Sequence, residues 1–222
     1  METNILNKLS TDLRIAPEFI IREDWEMKIM EKIAGAAIGS FLVFKGGTSL
    51  RLAYNSPRFS EDLDFDINQK FDFKLFQNAI KEVVSAYPNL KQKDLAQKYN
   101  TYLAQISVSD EPLNRDFSVK IEVSTRTVRQ PDYFELKMLV SPVNAAQVLF
   151  NTARLAEIKK EKLKALQTRQ QARDLFDLWY LAQVSREPWQ VPENDLDPKK
   201  VKQELNKYLP ENYQQVIKEL IV

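Results

Sequence analysis

The chain has 222 residues with 32 Lys and Arg against 31 Asp and Glu, and its net charge of +1 argues against a protein that coats DNA broadly. It contains no cysteine and no histidine, which excludes disulfides, thiolate zinc sites, and Cys or His nucleophiles and bases. No apolar run approaches the roughly 20 residues of a membrane span, and the N-terminus lacks the apolar region of a signal peptide, so we predict a cytosolic protein.

Helix and strand patterns alternate over the first 150 residues. In chain order they predict a helix over 17–37, a strand over 41–44, a helix over 48–54, a strand over 62–67, a helix over 73–85, strands over 101–108 and 117–123, and one or two strands within 133–150. Helical patterns follow near 153–168, 173–184, 199–208 and 211–219. Together they predict an α+β fold, with a mixed sheet and flanking helices in a domain over 1–150 and a helical domain over 151–222.

Two adjacent glycines, Gly46 and Gly47, follow the first strand pattern and precede a short helix. Without a Cβ they let the backbone approach a phosphate closely, and the phosphate would meet the free N–H groups of the helix that begins near Thr48. A Gly–Gly pair can also be an ordinary turn between a strand and a helix. The Walker A spacing and the GxGxxG pattern are both missing, so the turn belongs to neither of those motifs.

An acidic strand, DLDFDI, begins 14 residues after Thr48. Side chains alternate along a strand, so Asp62 and Asp64 face the same way, roughly 6.5–7 Å apart, and Asp66 is a third candidate on that face. Two carboxylates at this spacing can hold one or two Mg²⁺ ions against phosphate oxygens. Such a strand alone is more often an exposed edge strand. Behind the glycine turn we interpret it as a metal site, with Asp62 and Asp64 as the better ligands.

Two segments, KGGTSLRLAY and RFSEDLDFDI, resemble the signature of the nucleotidyltransferases grouped with the AbiEii/AbiGii toxins, within the DNA polymerase β-type superfamily. A second patch is similar to the helical motifs of that family: EKLKAL, Arg169, Arg173, Asp174 and Asp177. The resemblance implies the nucleotidyltransferase fold and the transfer of a nucleoside monophosphate from a nucleoside triphosphate (NTP) to an acceptor hydroxyl, with Mg²⁺ or Mn²⁺ as cofactor. It also implies a toxin with a cognate antitoxin, and some relatives modify tRNA ends.

In that superfamily a third carboxylate comes from a neighbouring strand, and Glu122 is the acid on the polar face of VKIEVST. Asp is more common at that place, and Asp116 is the alternative candidate. Outside a site, Glu122 would be a surface residue paired with Lys120 or Arg126. The predicted metal ligands are therefore Asp62, Asp64 and Glu122.

Lys162 lies inside the apolar arc of a predicted helix, where a cation is costly unless it meets an anion. We expect it to point toward the carboxylate strand and to contact nucleotide phosphates, with Arg169 close by. Alternatively it reaches solvent or pairs with a structural acid. Asp174 and Asp177 begin the next helix, where acids stabilise the helix N-terminus whatever the function. The basic segment 154–173 fits either a nucleotide or RNA partner or a solvated helix face.

The predicted catalytic residues are Asp62, Asp64, Glu122, Lys162 and Asp174. The predicted nucleotide-binding residues are Lys45, Gly46, Gly47, Thr48, Arg58, Ser60, Lys162 and Arg169, of which Lys45, Thr48, Arg58 and Ser60 could equally cap helices.

Two other functions stay open at this point. One is a small-molecule nucleotidyltransferase of the antibiotic-modifying kind, and the other is a non-catalytic module that binds a nucleotide or a partner protein. A broad basic surface beside the site would favour an RNA acceptor, whereas a closed acidic or aromatic pocket would favour a small one. Intact carboxylates at Asp62 and Asp64 argue against the non-catalytic module.

Overall fold

The computed structural model describes residues 1–221, and Val222, the last residue of the predicted helical domain, lies outside them. The helices are α1 (Thr3–Leu13), α2 (Pro17–Gly35), α3 (Gly46–Tyr54), α4 (Phe73–Ser85), α5 (Leu155–Arg169), α6 (Ala172–Ser185), α7 (Pro198–Tyr208) and α8 (Ile217–Leu220), with 3₁₀ helices at Gly39–Phe41 and Glu211–Val216. The strands are β1 (Leu42–Lys45), β2 (Asp62–Ile67), β3 (Leu90–Lys98), β4 (Thr101–Val108), β5 (Phe117–Val128), β6 (Phe134–Ser141) and β7 (Asn144–Ala153).

The predicted fold class is confirmed, since a mixed seven-stranded sheet is flanked by helices and followed by a helical segment. The bounds of α4 and β4 agree with the sequence patterns. Three elements were not predicted: α1, the 3₁₀ helix at Gly39–Phe41, and β3. The β3 sequence LKQKDLAQK is largely polar and exposed because the strand lies at the edge of the sheet and pairs with β4 alone, so it lacks the alternation that marks a half-buried strand.

Strand β2 lies in the middle of the sheet, whose strand order is β3-β4-β5-β2-β1-β7-β6. It runs antiparallel to β1 and parallel to β5. This register pairs Asp64 with Lys45 on one side and with Glu122 on the other, and it pairs Asp62 with Lys120. The sheet therefore brings the predicted ligands Asp62, Asp64 and Glu122 onto two adjacent strands.

The two faces of the central strands differ in chemistry. Leu63 and Phe65 of β2, with Val119 and Ile121 of β5, are buried in the main hydrophobic core together with residues of α2 and α4. The alternating positions carry polar side chains on the opposite face. Strand periodicity thus directs the acids of β2 away from the core.

The helical segment has its own core and a smaller one shared with the sheet. Residues of α6, α7 and α8 form one apolar cluster. A second cluster joins Ile158 of α5 and Leu181 of α6 to Val43 of β1 and Ala153 of β7. The sheet continues to Ala153, and the division into domains over 1–150 and 151–222 stays a prediction. Within residues 1–221, no helix is both long and apolar enough to cross a membrane.

Candidate active site

A cleft of about 580 Å³ lies between the polar face of the sheet and helix α5. Its sheet side includes Gly46, Gly47, Asp64 and Glu122, and its helix side includes Lys162 and Arg169. Residues that are distant in sequence therefore line one cavity, which we call the candidate cleft. Lys45 also lines it, whereas Asp62, Thr48, Arg58, Ser60 and Asp174 lie outside its lining.

The glycine turn lies against the carboxylate strand. Gly46 begins α3 with a φ of +84°, and a Cβ at this position would stand 2.8 Å from Oδ2 of Asp64. A Cβ on Gly47 would collide with the Arg58 guanidinium and stand 2.8 Å from the Ser60 hydroxyl. Both glycines are therefore needed for the close approach of the turn to its neighbours.

Thr48 joins the glycine turn to β2. Its side chain is buried, and its hydroxyl donates a hydrogen bond to the backbone carbonyl of Asp62. The hydroxyl predicted to contact phosphate is thus engaged within the protein. A phosphate would therefore meet the backbone N–H groups at the start of α3 and not the Thr48 hydroxyl.

Asp62, Asp64 and Glu122 form what we call the carboxylate cluster. The Lys120 ammonium lies 3.1 Å from Oε2 of Glu122 and 3.9 Å from Oδ2 of Asp62. Burial, followed by repulsion from Asp62, raises the pKa of Asp64 to about 6. In this arrangement no three Asp or Glu side chains within residues 1–221 are close enough together to hold a metal ion. The donor set nevertheless suits Mg²⁺, because it offers hard oxygen ligands and an excess of negative charge.

Asp66 lies on the same strand but has a different environment. Its carboxylate is buried and contacts the Lys45 ammonium at 3.0 Å and Nε of Arg129 at 2.7 Å, while the Tyr133 hydroxyl donates to it at 2.9 Å. Its charge is therefore compensated within the protein. Of the three acids on β2, Asp66 is the one that the structure assigns to framework contacts.

Lys45 is held in the wall of the candidate cleft. Its ammonium contacts Asp66 at 3.0 Å and Glu161 of α5 at 3.2 Å. Burial lowers the pKa of Lys45, but attraction to these two carboxylates outweighs burial, and the net pKa lies above its usual value. The Arg129 guanidinium donates to Glu161 at 3.0 Å, and the Tyr133 hydroxyl, whose single proton is shared between Asp66 and Glu161, lies 2.8 Å from Glu161. These contacts fasten α5 to the sheet at the cleft.

Lys162 is buried as expected, but its partners differ from the expectation. Its ammonium lies 2.9 Å from Oδ1 of Asp174 and 2.6 Å from Oδ2 of Asp177, both on α6, instead of contacting the carboxylates of β2. The reason is local, since Gln170 and Gln171 connect α5 directly to α6 and bring the helices side by side. Lys162 still lines the candidate cleft opposite Asp64.

Two arginines complete what we call the buried ion network: Arg58, Lys162, Arg169, Asp174 and Asp177. Arg58 is fully buried and donates to both carboxylate oxygens of Asp177 at 2.7 and 2.8 Å, so it does not reach the cleft as a phosphate ligand. Arg169 donates to both oxygens of Asp174 at 2.7 Å and is about half exposed.

The acids of this network stay ionised. Burial raises the pKa of Asp177, but attraction to Arg58 and Lys162 outweighs burial and holds the pKa below its usual value. Burial likewise raises the pKa of Asp174, and hydrogen bonds from Arg169 with attraction to Lys162 outweigh it. Asp174 was predicted to be catalytic. Its position, buried and outside the lining of the cleft, instead suits a residue that positions Lys162 and Arg169.

Ser60 and Asp116 complete the predicted set. Ser60 lies beside Gly47, and Asp116 is exposed immediately before β5. In the parallel pairing of β2 and β5 it is Glu122 that stands opposite Asp64, which favours Glu122 over Asp116 as the third carboxylate. Sequence reasoning gave no site role to Lys120, although its even spacing from Glu122 places both on one strand face.

The chain is similar to known proteins over most of its length. The family model described as the nucleotidyl transferase AbiEii toxin of type IV toxin–antitoxin systems matches residues 28–220. The solved structure of JHP933 from Helicobacter pylori is similar, with 26% identity, a TM-score of 0.58, and coverage of 76% of this chain and 68% of that one. No curated protein matches the chain significantly.

Two further solved structures share the fold at lower identity. One is a Helicobacter pylori protein provisionally described as a nucleotidyltransferase, with 23% identity, a TM-score of 0.59, and coverage of 93% of this chain and 97% of that one. The other is MenT4, a nucleotidyltransferase toxin from Mycobacterium tuberculosis, with 19% identity, a TM-score of 0.62, and coverage of 91% and 68%. At these identities the likeness shows the fold alone.

Proposed function

We propose that this chain, which belongs to the AbiEii family of nucleotidyltransferase toxins of type IV toxin–antitoxin systems, is a metal-dependent enzyme that transfers a nucleoside monophosphate from an NTP to an acceptor hydroxyl. The observation that carries the proposal is the candidate cleft, where a glycine turn and carboxylates face a helix that carries cations. Family membership implies a nucleotide substrate and a cognate antitoxin.

The glycine turn and α5 would bind the triphosphate between them. The N-terminus of α3 offers backbone N–H groups and the positive end of its dipole to phosphate oxygens. From the opposite wall, Lys162, Lys164 and Arg169 line the cleft. Cations and free amides on two sides suit a ligand that carries several negative charges.

The carboxylate cluster would hold the divalent ions. Asp62, Asp64 and Glu122 supply oxygen ligands on adjacent strands, and Mg²⁺ or Mn²⁺ suits such ligands. A bound divalent ion supplies neutralisation of phosphate charge and lowers the pKa of a nearby hydroxyl. An added positive charge would also favour the ionised form of Asp64, whose pKa is raised to about 6.

In the proposed reaction the acceptor oxygen attacks the α-phosphorus of the NTP. A new bond forms between that oxygen and the α-phosphorus, the bond from the α-phosphorus to the bridging oxygen breaks, and pyrophosphate leaves while the hydroxyl proton passes to solvent. Lys162 and Arg169 would stabilise the negative charge that develops on the pyrophosphate. Their positions are set in advance by Asp174 and Asp177, so little reorganisation is needed.

The cleft lining favours a polyanionic acceptor, and RNA, including tRNA, is the acceptor that we propose. Among the described residues the lining contains six cationic side chains, four acids and no aromatic side chain: Lys45, Arg126, Arg129, Lys162, Lys164 and Arg169 against Asp64, Asp66, Glu122 and Glu161. A small-molecule acceptor would be better served by an enclosed acidic or aromatic pocket.

The proposal is tested by incubating the protein with each α-labelled NTP, Mg²⁺ and total RNA. We expect label to enter an RNA band with at least one NTP, and to disappear with EDTA or with Asp64→Ala. Label on a small molecule alone would favour the antibiotic-modifying class. Absence of label with all four NTPs in RNA, protein and small molecules would contradict nucleotidyl transfer.

A further inference from the structure

Lys120 lies among the three acids of the carboxylate cluster. It pairs with Asp62 across the β2–β5 interface and precedes Glu122 by two residues on the same face of β5. Its ammonium is 3.1 Å from Oε2 of Glu122 and 3.9 Å from Oδ2 of Asp62. The ammonium thus contacts oxygens of two of the proposed metal ligands.

The charge balance explains why a cation rests there. Asp62, Asp64 and Glu122 would together carry three negative charges when ionised, and Lys120 contributes one positive charge. A lysine side chain carries its positive charge at neutral pH, and the Lys120 ammonium lies beside oxygens of two of these acids. The ammonium therefore reduces, without cancelling, the repulsion among the acids.

We propose that Lys120 is an internal counter-ion that competes with divalent ions for the carboxylate cluster. This inference rests on the proposed function, because it assumes that Asp62, Asp64 and Glu122 bind metal. The ammonium contacts oxygens that a metal ion would need, and two cations at one site repel each other. Metal binding therefore requires Lys120 to withdraw, which its flexible side chain allows because it is 39% exposed.

Lys120→Met tests the proposal, because methionine keeps an unbranched apolar side chain and removes the charge. Two consequences of opposite sign are expected. The metal-free protein should melt at a lower temperature, since the acids lose their counter-ion, and its affinity for Mn²⁺ without nucleotide should become about 3–10-fold tighter, since the competitor is gone. Mn²⁺ binding is read directly from the loss of the free-ion electron paramagnetic resonance signal.

The controls separate charge from general effects. Lys120→Arg keeps the charge and should bind Mn²⁺ about as the wild type does, while Lys91→Met removes an exposed lysine of β3 and should change neither measurement. Lys120→Gln supplies a second neutral variant if the methionine variant fails to fold.

The outcomes distinguish this inference from the function on which it rests. If the wild type binds Mn²⁺, Asp64→Ala does not, and the neutral Lys120 variants bind with unchanged or weaker affinity, the counter-ion proposal is overturned and the metal site stands. If the wild type itself does not bind Mn²⁺, the proposed metal site fails and the inference fails with it.

Discussion

Two charged clusters lie on the two sides of the candidate cleft, and they differ in balance. In the buried ion network, two acids meet three cations, and each carboxylate accepts a two-point contact from an arginine. In the carboxylate cluster, three acids share the nearby Lys120, which is partly exposed. Both carboxylates of the first cluster are paired with cations, whereas the second cluster keeps an excess of negative charge.

This difference in charge balance suggests a structural role for the buried ion network and a ligand-binding role for Asp62, Asp64 and Glu122. A buried network stabilises a structure only if every charge in it has a partner, and the buried ion network meets that condition. Carboxylates gathered on one strand face repel each other, and such an arrangement is a feature of sites that bind cations. The cleft therefore has one wall that presents Lys162 and Arg169 with their charges paired to acids of α6, and one wall on which carboxylates outnumber the cation beside them.

The largest expected effect is the loss of activity when an acid of the carboxylate cluster is substituted. Asp64→Ala should reduce nucleotide transfer at least about 10³-fold, because a ligand of the proposed metal is removed. The fold should persist, and the melting temperature in metal-free buffer should hold or rise as repulsion is relieved. Asp116→Ala, which removes an exposed acid before β5, is the matched control and should retain activity. Wild-type transfer by Asp64→Ala would break the distinction between the two clusters.

In the buried ion network the same kind of change should instead cost stability. Asp177→Ala leaves Arg58 and Lys162 buried with one acid fewer, and we expect a loss of about 3–5 kcal/mol in the free energy of unfolding. Urea denaturation measures this loss. Asp12→Ala on the exposed surface of α1 serves as the control. A loss below about 1 kcal/mol in Asp177→Ala would mean that the network is not a framework.

Lys162 belongs to the network and also faces the cleft, so it tests both roles. Lys162→Met should raise the barrier of nucleotide transfer by about 2–4 kcal/mol, as for loss of one preorganised electrostatic contact. Stability should fall less than in Asp177→Ala, because Asp174 and Asp177 each keep an arginine. Steady-state kinetics compares it with Lys160→Met, which removes an exposed lysine of α5 that does not line the cleft. Equal rates for the two variants would contradict the role of Lys162.

The pH dependence of stability should report the raised pKa of Asp64. Because burial raises this pKa to about 6, the folded protein binds the proton more tightly than the unfolded chain. The contribution is most favourable at pH 4 and below, and it is lost as the pH rises through about 6. In metal-free buffer the wild type should lose up to about 3 kcal/mol of unfolding free energy relative to Asp64→Asn between about pH 4 and pH 7. Parallel pH curves for the two proteins would contradict this.

Local patterns in the sequence were enough for the parts of the site that lie close together along the chain. The glycine turn and the acids of β2 are separated by one short helix, and alternation predicts which of these side chains share a face. The burial of Lys162 also followed from its position in the apolar arc of α5. These inferences depend on periodicity alone, which the chain carries locally.

The contacts that needed tertiary structure were not predictable in this way. Arg58 and Asp177 are 119 residues apart, and no periodicity indicates that they meet. The partner of Lys162 was misassigned because the packing of α5 on α6 decides which acids are nearest. The role of Lys120 depends on the register between β2 and β5, which two parallel strands far apart in sequence do not specify locally.

The central claim, nucleotidyl transfer at the candidate cleft, is tested most directly by the fate of the phosphorus atoms. Matched reactions of wild type with α-labelled and γ-labelled NTP, Mg²⁺ and total RNA should retain the α-label on the RNA and release the γ-label as pyrophosphate. Asp64→Ala should do neither. Retention of the γ-label on the acceptor, or equal α-label incorporation by wild type and Asp64→Ala, would contradict the account.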